Sequence, residues 1–280
     1  GALSFGGGGT TDSYDSTLPL GADGKPVKSA YGGNVGTNGN LDENGATTTI
    51  NGSLSTPRSG VGACSANNVT ALSQSGPATV TGGVTQLPQA IVMKDPPPIN
   101  PLPPTTSDDV KKNAPTCPAG APAGSCTTQN GSGITIHPAT ASTVVTLGNL
   151  NVNANATLHL SAGVYVVNSI TLNGGANLVI DGNGPVIFKV QGQGQATLID
   201  LSGGSVSNLT YNPTSLQFIY GGTGAVKLTG GTASSSLLYA PKASVSLGGN
   251  ADFYGAIVAG NVTDFGGADI HYDRNLSKGG

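Results

Sequence analysis

Ala225-Val226-Lys227-Leu228-Thr229-Gly230-Gly231, Ser244-Val245-Ser246-Leu247-Gly248-Gly249 and Asn261-Val262-Thr263-Asp264-Phe265-Gly266-Gly267 repeat one design. A short β-rich run ends in a glycine pair, and the pairs fall eighteen residues apart. Gly203-Gly204 and Gly221-Gly222 keep the same interval in another phase, and Ser169-Ile170-Thr171-Leu172-Asn173-Gly174-Gly175 fits the design out of register. A period of this size marks a solenoid, in which each repeat buries its apolar side only by stacking on the next. The expected fold is therefore all-β: a β-solenoid (parallel β-helix) with coils of about eighteen residues, plus an irregular glycine-rich N-terminal β region.

The composition agrees with a turn-dense β protein. Glycine supplies 45 of 280 residues, charged residues are 9%, aromatics 5%, and tryptophan is absent. No Gly-X-Y period exists, so collagen is excluded. A net charge of −3 gives no electrostatic reason to expect nucleic acid or an anionic membrane as partner. Val164-Tyr165-Val166-Val167 and Pro185-Val186-Ile187-Phe188-Lys189-Val190 are β-branched and aromatic runs bounded by Gly and Asn, which read as strands. No stretch approaches the eighteen apolar residues of a membrane span. The chain begins at glycine, so an upstream signal or anchor is expected to have been removed.

Four regions follow along the chain. Residues 1–9 form an apolar tip on a glycine hinge, and 10–94 are irregular β, either imperfect coils or a separate unit. Residues 95–132 hold a proline run and a cysteine loop, and 133–280 form the solenoid. Asp95–Pro104 carries six prolines in ten residues and reads as an extended linker, the other arrangement being a strut along the solenoid. Ser107-Asp108-Asp109-Val110-Lys111-Lys112 reads as one or two helical turns, with an N-cap at its start and lysines at its end. Cys117 and Cys126 close a small loop suited to a disulfide in an exported protein, leaving Cys64 unpaired. The inward residues are expected to be Val164, Val166, Ile170, Leu172, Leu178, Ile180, Ile187, Val226, Leu228, Val245, Leu247, Ile257 and Val262.

Chemistry is sparse. Only fourteen residues are acidic, and the densest late group is Asp269, His271 and Asp273, followed by Arg274. At period two the first three share one strand face. They read as a polar cap over the last coil, which a solenoid requires, rather than as a metal or acid–base site. His159 alternates with leucines and His137 precedes a proline at a turn. No nucleophile elbow, phosphate loop or paired-cysteine zinc signature occurs, so no catalytic residue, metal or cofactor is expected. The late aromatic residues Phe218, Tyr220, Tyr239, Phe253, Tyr254, Phe265 and Tyr272 read as core rather than as a sugar-binding strip.

The segment Leu238–Gly249, continued by Phe253–Ala259 and the ending Ile270-His271-Tyr272-Asp273, resembles the C-terminal β-solenoid domain of PilX-like bacterial surface proteins. Asp12-Ser13-Tyr14-Asp15-Ser16 and Thr37-Asn38-Gly39 fit the same resemblance, and Ala162–Phe188 is more loosely similar to ice-binding-type β-solenoids. The first resemblance implies an exported, pilus-associated, adhesive or structural protein without defined catalytic residues. Three functions are weighed on this basis. The leading one is a non-enzymatic subunit of an extracellular bacterial surface filament, in which Ala2, Leu3, Ser4 and Phe5 add as a strand to a neighbouring copy. The alternative is a monomeric surface adhesin or a glycan- or ice-binding module, and the third is a polysaccharide-degrading enzyme.

Overall fold

The computed structural model describes residues 2–45, 47–75, 78–138, 140, 143–182, 184–229, 234–249 and 252–278. The pair Gly230-Gly231 lies outside the described residues. The chain is all-β, with no α-helix among the described residues and two short 3-10 turns at Pro213–Ser215 and Arg274–Lys278. Almost every strand pairing is parallel. Among the described residues the strands fall into sheets of sixteen, five and three, and the one antiparallel strand pair joins Cys126–Gln129 to Gly133–Ile136.

Parallel neighbours must be separated by a crossover, and here that crossover varies in length. Asp252 pairs with Asp269, Val144 with Val164, Gly163 with Val186 and Val186 with Leu216. The eighteen-residue interval is thus one value in a wider range, because surplus residues leave the strands as loops. Gly163–Leu172 and Ser234–Gly248 are long enough to pair with two successive strands along one edge. Together with Val186–Val190, Leu216–Tyr220, Ala225–Thr229 and Thr197–Asp200 they close a six-strand parallel barrel.

The core runs through this stack as columns of like residues. Tyr165, Phe188 and Phe218 are fully buried in successive strands, with ring centroids 5.6 and 5.3 Å apart. Such pairs add about 0.5–1.5 kcal/mol each beyond area burial. Ile170, Leu172, Leu178, Ile180, Val226, Leu228, Val245, Leu247 and Val262 lie in the same core as expected, with Ile257 packed against it. Val164, Val166 and Ile187 lie outside that cluster, although Val166 is itself buried. Alternation places Tyr165, Val167 and Phe188 inward and turns the expected residues to the outer face.

The proline run explains that second apolar face. It lies along the outside of the sheet as a strut instead of linking two bodies. Tyr239 Oη donates to the Lys94 carbonyl at 2.6 Å, Lys242 pairs with Asp95 at 2.5 Å, and Asn149 N donates to the Thr106 carbonyl at 2.7 Å. Ser107–Val110, expected as helix, is a strand parallel to Asn149–Val152. Asp108 there accepts from Gly148 N at 2.6 Å, so the carboxylate serves a neighbouring strand in place of a helix end.

The N-terminal third continues the same stack. Leu3–Phe5 lies between Val262–Asp264 and Leu41–Glu43, parallel to both. Thr10–Tyr14 lies between Asp269–Asp273 and Thr49–Ile50, and the order ends at Thr79–Val80. The tip Ala2–Phe5 is therefore an internal strand of its own chain and not a strand held out for a neighbour. Phe5 is 2% exposed in a second core with Leu41, Ile50, Leu54 and Leu72. Both of the strand's edges are used: Val262 N donates to the Ala2 carbonyl at 3.1 Å and Leu3 N to the Asn40 carbonyl at 3.0 Å.

The glycine pairs form one corner of this stack. A Cβ on Gly266 would stand 2.7 Å from Gly249 N, and one on Gly7 would stand 3.0 Å from Gly267 N. Gly7, Gly249 and Gly267 share φ values of +68°, +78° and +73°. The supposed hinge of residues 6–9 is thus the next member of the series, stacked across the junction of the two chain ends. Gly7→Ala should cost about 1–2 kcal/mol for left-handed backbone alone, plus a steric penalty. Gly24→Ala, at φ +74° with open space around it, carries the backbone cost only. Urea unfolding of the two variants measures the difference, and equal losses would contradict the stacked corner.

The Cys117–Cys126 disulfide forms, with Cα atoms 5.8 Å apart, and leads into the antiparallel strand Cys126–Gln129 at one end of the five-stranded sheet. Replacing both cysteines by serine should lower stability by about 2–3 kcal/mol, the loop-closure contribution for a ring this small. Chemical denaturation with and without reductant checks this, since reductant should affect only the parent chain.

Candidate functional site

Asp269, His271, Asp273 and Arg274 were expected to cap the last coil. Their strand is instead internal, and each of the four fastens the N-terminal segment to it. Asp269 Oδ1 accepts from Thr10 N at 3.1 Å and Thr10 Oγ1 at 2.6 Å. Asp273 accepts from Ser16 N at 3.0 Å and Ser16 Oγ at 2.6 Å. Arg274 donates to Ser13 Oγ at 2.9 Å and lies over the Tyr31 ring, 4.8 Å from its centroid.

His271 is the centre of the arrangement and is fully buried. Its Nδ1 faces Asp12 across the strand pairing, and its Nε2 lies 3.1 Å from Asp252 Oδ1. Lys25 Nζ is 3.0 Å from Asp252 Oδ2, and Lys28 Nζ 3.5 Å from Oδ1. Three carboxylates (Asp12, Asp252, Asp269) thus meet two ammonium groups, of which Lys28 also lies 3.4 Å from His271 Nε2, and a positive charge on the imidazole would balance the set. Burial opposes that charge, but the hydrogen bonds to Asp12 and Asp252 outweigh it and raise the His271 pKa above the ordinary histidine value. The bond to His271, then Lys25 and Lys28, hold Asp252 well below the usual carboxylate range against its own burial.

The aromatic side of the cluster is equally enclosed. Tyr254 packs 4.5 Å from the His271 ring and makes edge contacts with Tyr14 and Tyr211 at 5.3 and 4.9 Å. Tyr14 Oη donates to the Tyr211 carbonyl at 2.8 Å. Burial raises the pKa of both Tyr14 and Tyr254. A second buried acid lies nearby in sequence. Asp264 Oδ1 accepts from Gly266 N and Ala268 N at 3.2 and 3.1 Å, while Oδ2 has no hydrogen-bond partner, and burial pushes its carboxyl up to about 6.

The chemistry open to this cluster is narrow. A general base needs a free lone pair within reach of substrate, and both ring nitrogens of His271 are engaged inside the fold. Ligand atoms of Asp252, Asp269 and His271 lie within 4.8 Å of one another, a spacing a cation could use. Lys25 and Lys28 already neutralise Asp252, so a metal would have to displace an ammonium group. The geometry is that of an ionic clasp. His159, half-exposed, lies 3.5 Å from Asp181 and is remote in sequence from the clasp. Phe218, Tyr220, Phe253 and Tyr254 are buried, and only Phe265, at 69% exposure, is a strongly exposed ring of the late set. Cys64 is a free, exposed thiol, 3.4 Å from Thr70 Oγ1.

The sequence pointed to one half of the clasp. Asp12, Lys25, Lys28 and Asp252 escaped it, because nothing local marks them. The available signal was the alternation Thr10, Asp12, Tyr14, which matches Asp269, His271, Asp273 as a strand of the same period.

A histidine whose folded pKa is raised contributes stability below its unfolded value, near 6.5, and loses that contribution as pH rises through the folded value. The melting temperature should therefore fall as pH is raised above neutrality. His271→Gln should be less stable than the parent at pH 6 and should lack most of that slope. Scanning calorimetry across this range is the check, and a flat profile for the parent chain would rule out the charged clasp.

Among the described residues no helix is long and apolar enough to cross a membrane. No curated protein and no solved structure matches the chain. A family model described as "Domain of unknown function (DUF7305)" matches residues 94–278, from the start of the proline strut to the closing 3-10 turn. The match covers well over half of the sequence, and the chain belongs to that family of unknown function.

Proposed function

We propose that this protein is an extracellular, non-enzymatic structural module: a β-solenoid whose copies associate end to end into a surface filament. The observation that carries the reading is an open edge. Thr79–Val80 and Val84–Gln86 are the last strands of their sheets, and all three residues of Val84–Gln86 are exposed. Unpaired backbone groups on such an edge are a template for another chain. At the opposite end lie Ser107–Val110 and the disulfide-linked hairpin. A contact between unlike ends does not close on itself and grows a fibre. The disulfide supports an oxidising compartment, and the resemblance of Leu238–Ala259 to PilX-like surface proteins supports a cell-surface setting. The assembly strand is not the tip Ala2–Phe5, whose two edges are occupied.

A second reading, a monomeric adhesin for glycans, is favoured by one polar column. Asp109, Asn151, Thr171, Asp200, Lys227, Ser246, Thr263, Ser4, Asp42 and Ser73 are consecutive partners along ten strands. Its mixed hydroxyl, amide and charged groups suit sugar hydroxyls better than the uniform threonine face expected for ice.

Gln86→Pro separates the readings. Leu87 N donates to the Thr56 carbonyl of the inner neighbour and that neighbour's Leu54 N donates to the Gly83 carbonyl, which turns the Gln86 N–H outward. Removing it should leave a folded monomer and abolish fibres in sedimentation velocity and negative-stain images. A parent chain that stays monomeric when concentrated, and binds a glycan array, would favour the adhesin instead.

A further inference from the structure

The strut does not seal the face it covers. Between it and the sheet runs a groove of about 970 Å³, at the upper end of the range for small-molecule sites. Its floor is two outward columns. One contributes Val144 and Val164, and the other Thr146, Val166, Lys189 and Ile219. The strut supplies the opposite wall from Pro97 to Leu102. Outward strand positions in a solvated sheet are ordinarily polar. Here four of the six are apolar, and the groove is still partly open: Val144 of its floor is 47% exposed and Leu102 of the strut 56%.

One charge in the groove is unmatched. Asp95 is paired with Lys242, outside the groove lining. Lys189 stands between Val166 and Ile219 in its column and has no ion-pair partner among the described residues. Lys189 is exposed, and its ammonium beside an apolar trough favours a ligand that brings one negative charge and an apolar body. Sugars fit poorly, because the only aromatic ring in the lining, Tyr220, is 6% exposed and offers no stacking platform.

We propose that this groove binds an amphipathic anion, an aliphatic or aromatic body carrying a single carboxylate or sulfonate, with Lys189 holding the anionic group. The site is independent of the filament reading, since it lies on the side of the stack and not at its ends.

The probe is 8-anilinonaphthalene-1-sulfonate, titrated by fluorescence into the full chain, with decanoate, decanol and decyltrimethylammonium as competitors. Saturable binding at one site is expected, with decanoate displacing the probe well and decyltrimethylammonium poorly. Lys189→Gln should weaken binding about tenfold, the size of one charge-assisted hydrogen bond. Val144→Asp, at an exposed position that leaves folding intact, should weaken it by a similar factor through repulsion of the anion. The proposal is overturned if the parent chain binds no probe, if both variants bind as the parent does, or if the cationic competitor is as effective as decanoate.

Discussion

The structure depends on a pairing between the two parts of the chain that are farthest apart in sequence. Thr10–Tyr14 adds to Asp269–Asp273, and Leu3–Phe5 adds to Val262–Asp264. Closing a loop of this length costs on the order of 5 kcal/mol of chain entropy, because the cost grows only with the logarithm of loop length. Against it stand two parallel ladders, the burial of Phe5 and Tyr14, and the clasp around His271. Most of the polar chemistry concentrated in this protein is spent at that junction. A cluster that resembles a catalytic constellation in composition is therefore better understood as what makes the stack continuous.

The same junction explains the strut. The N-terminal strands extend the stack beyond the C-terminal ones, so the chain leaving Val84–Gln86 must travel back to reach Ser107–Val110. It does so outside, over Asn38, Tyr239 and Asn149, each of which hydrogen-bonds to it. Proline suits that path because it needs no ladder partner. The outer face beneath it could then keep valine and isoleucine where a solvated sheet would carry threonine or serine.

These features divide what was legible in the sequence from what was not. Val226, Leu228, Val245 and Leu247 alternate with polar neighbours, so their inward phase could be read directly. Val164, Tyr165, Val166 and Val167 are apolar on both sides, and period two cannot choose between them; the strut, far away in sequence, makes the choice. Ser107–Lys112 carried helix-start residues, yet Asp108 bonds sideways to Gly148, a partner no local pattern can show. The N-terminal strands stayed ambiguous because Leu41 pairs with Leu72 and Thr49 with Thr79 across intervals well outside the glycine period. The disulfide was readable from spacing alone. Half of the clasp was readable as a polar strand, and its role was not, because Asp12 and Asp252 reach His271 only through parallel pairing.

The order of strands in space differs from the order in which they are made. Thr10–Tyr14 emerges among the first segments, but the edge it joins is completed only when Asp269–Asp273 exists. During synthesis, the edges of Leu3–Phe5 and Thr10–Tyr14 that face Val262–Asp264 and Asp269–Asp273 have no partner, and these strands are short. Strand edges left waiting in this way are a hazard for misassembly. A chain held unfolded until its whole length is available, as during passage across a membrane, would meet the two ends together and avoid that interval.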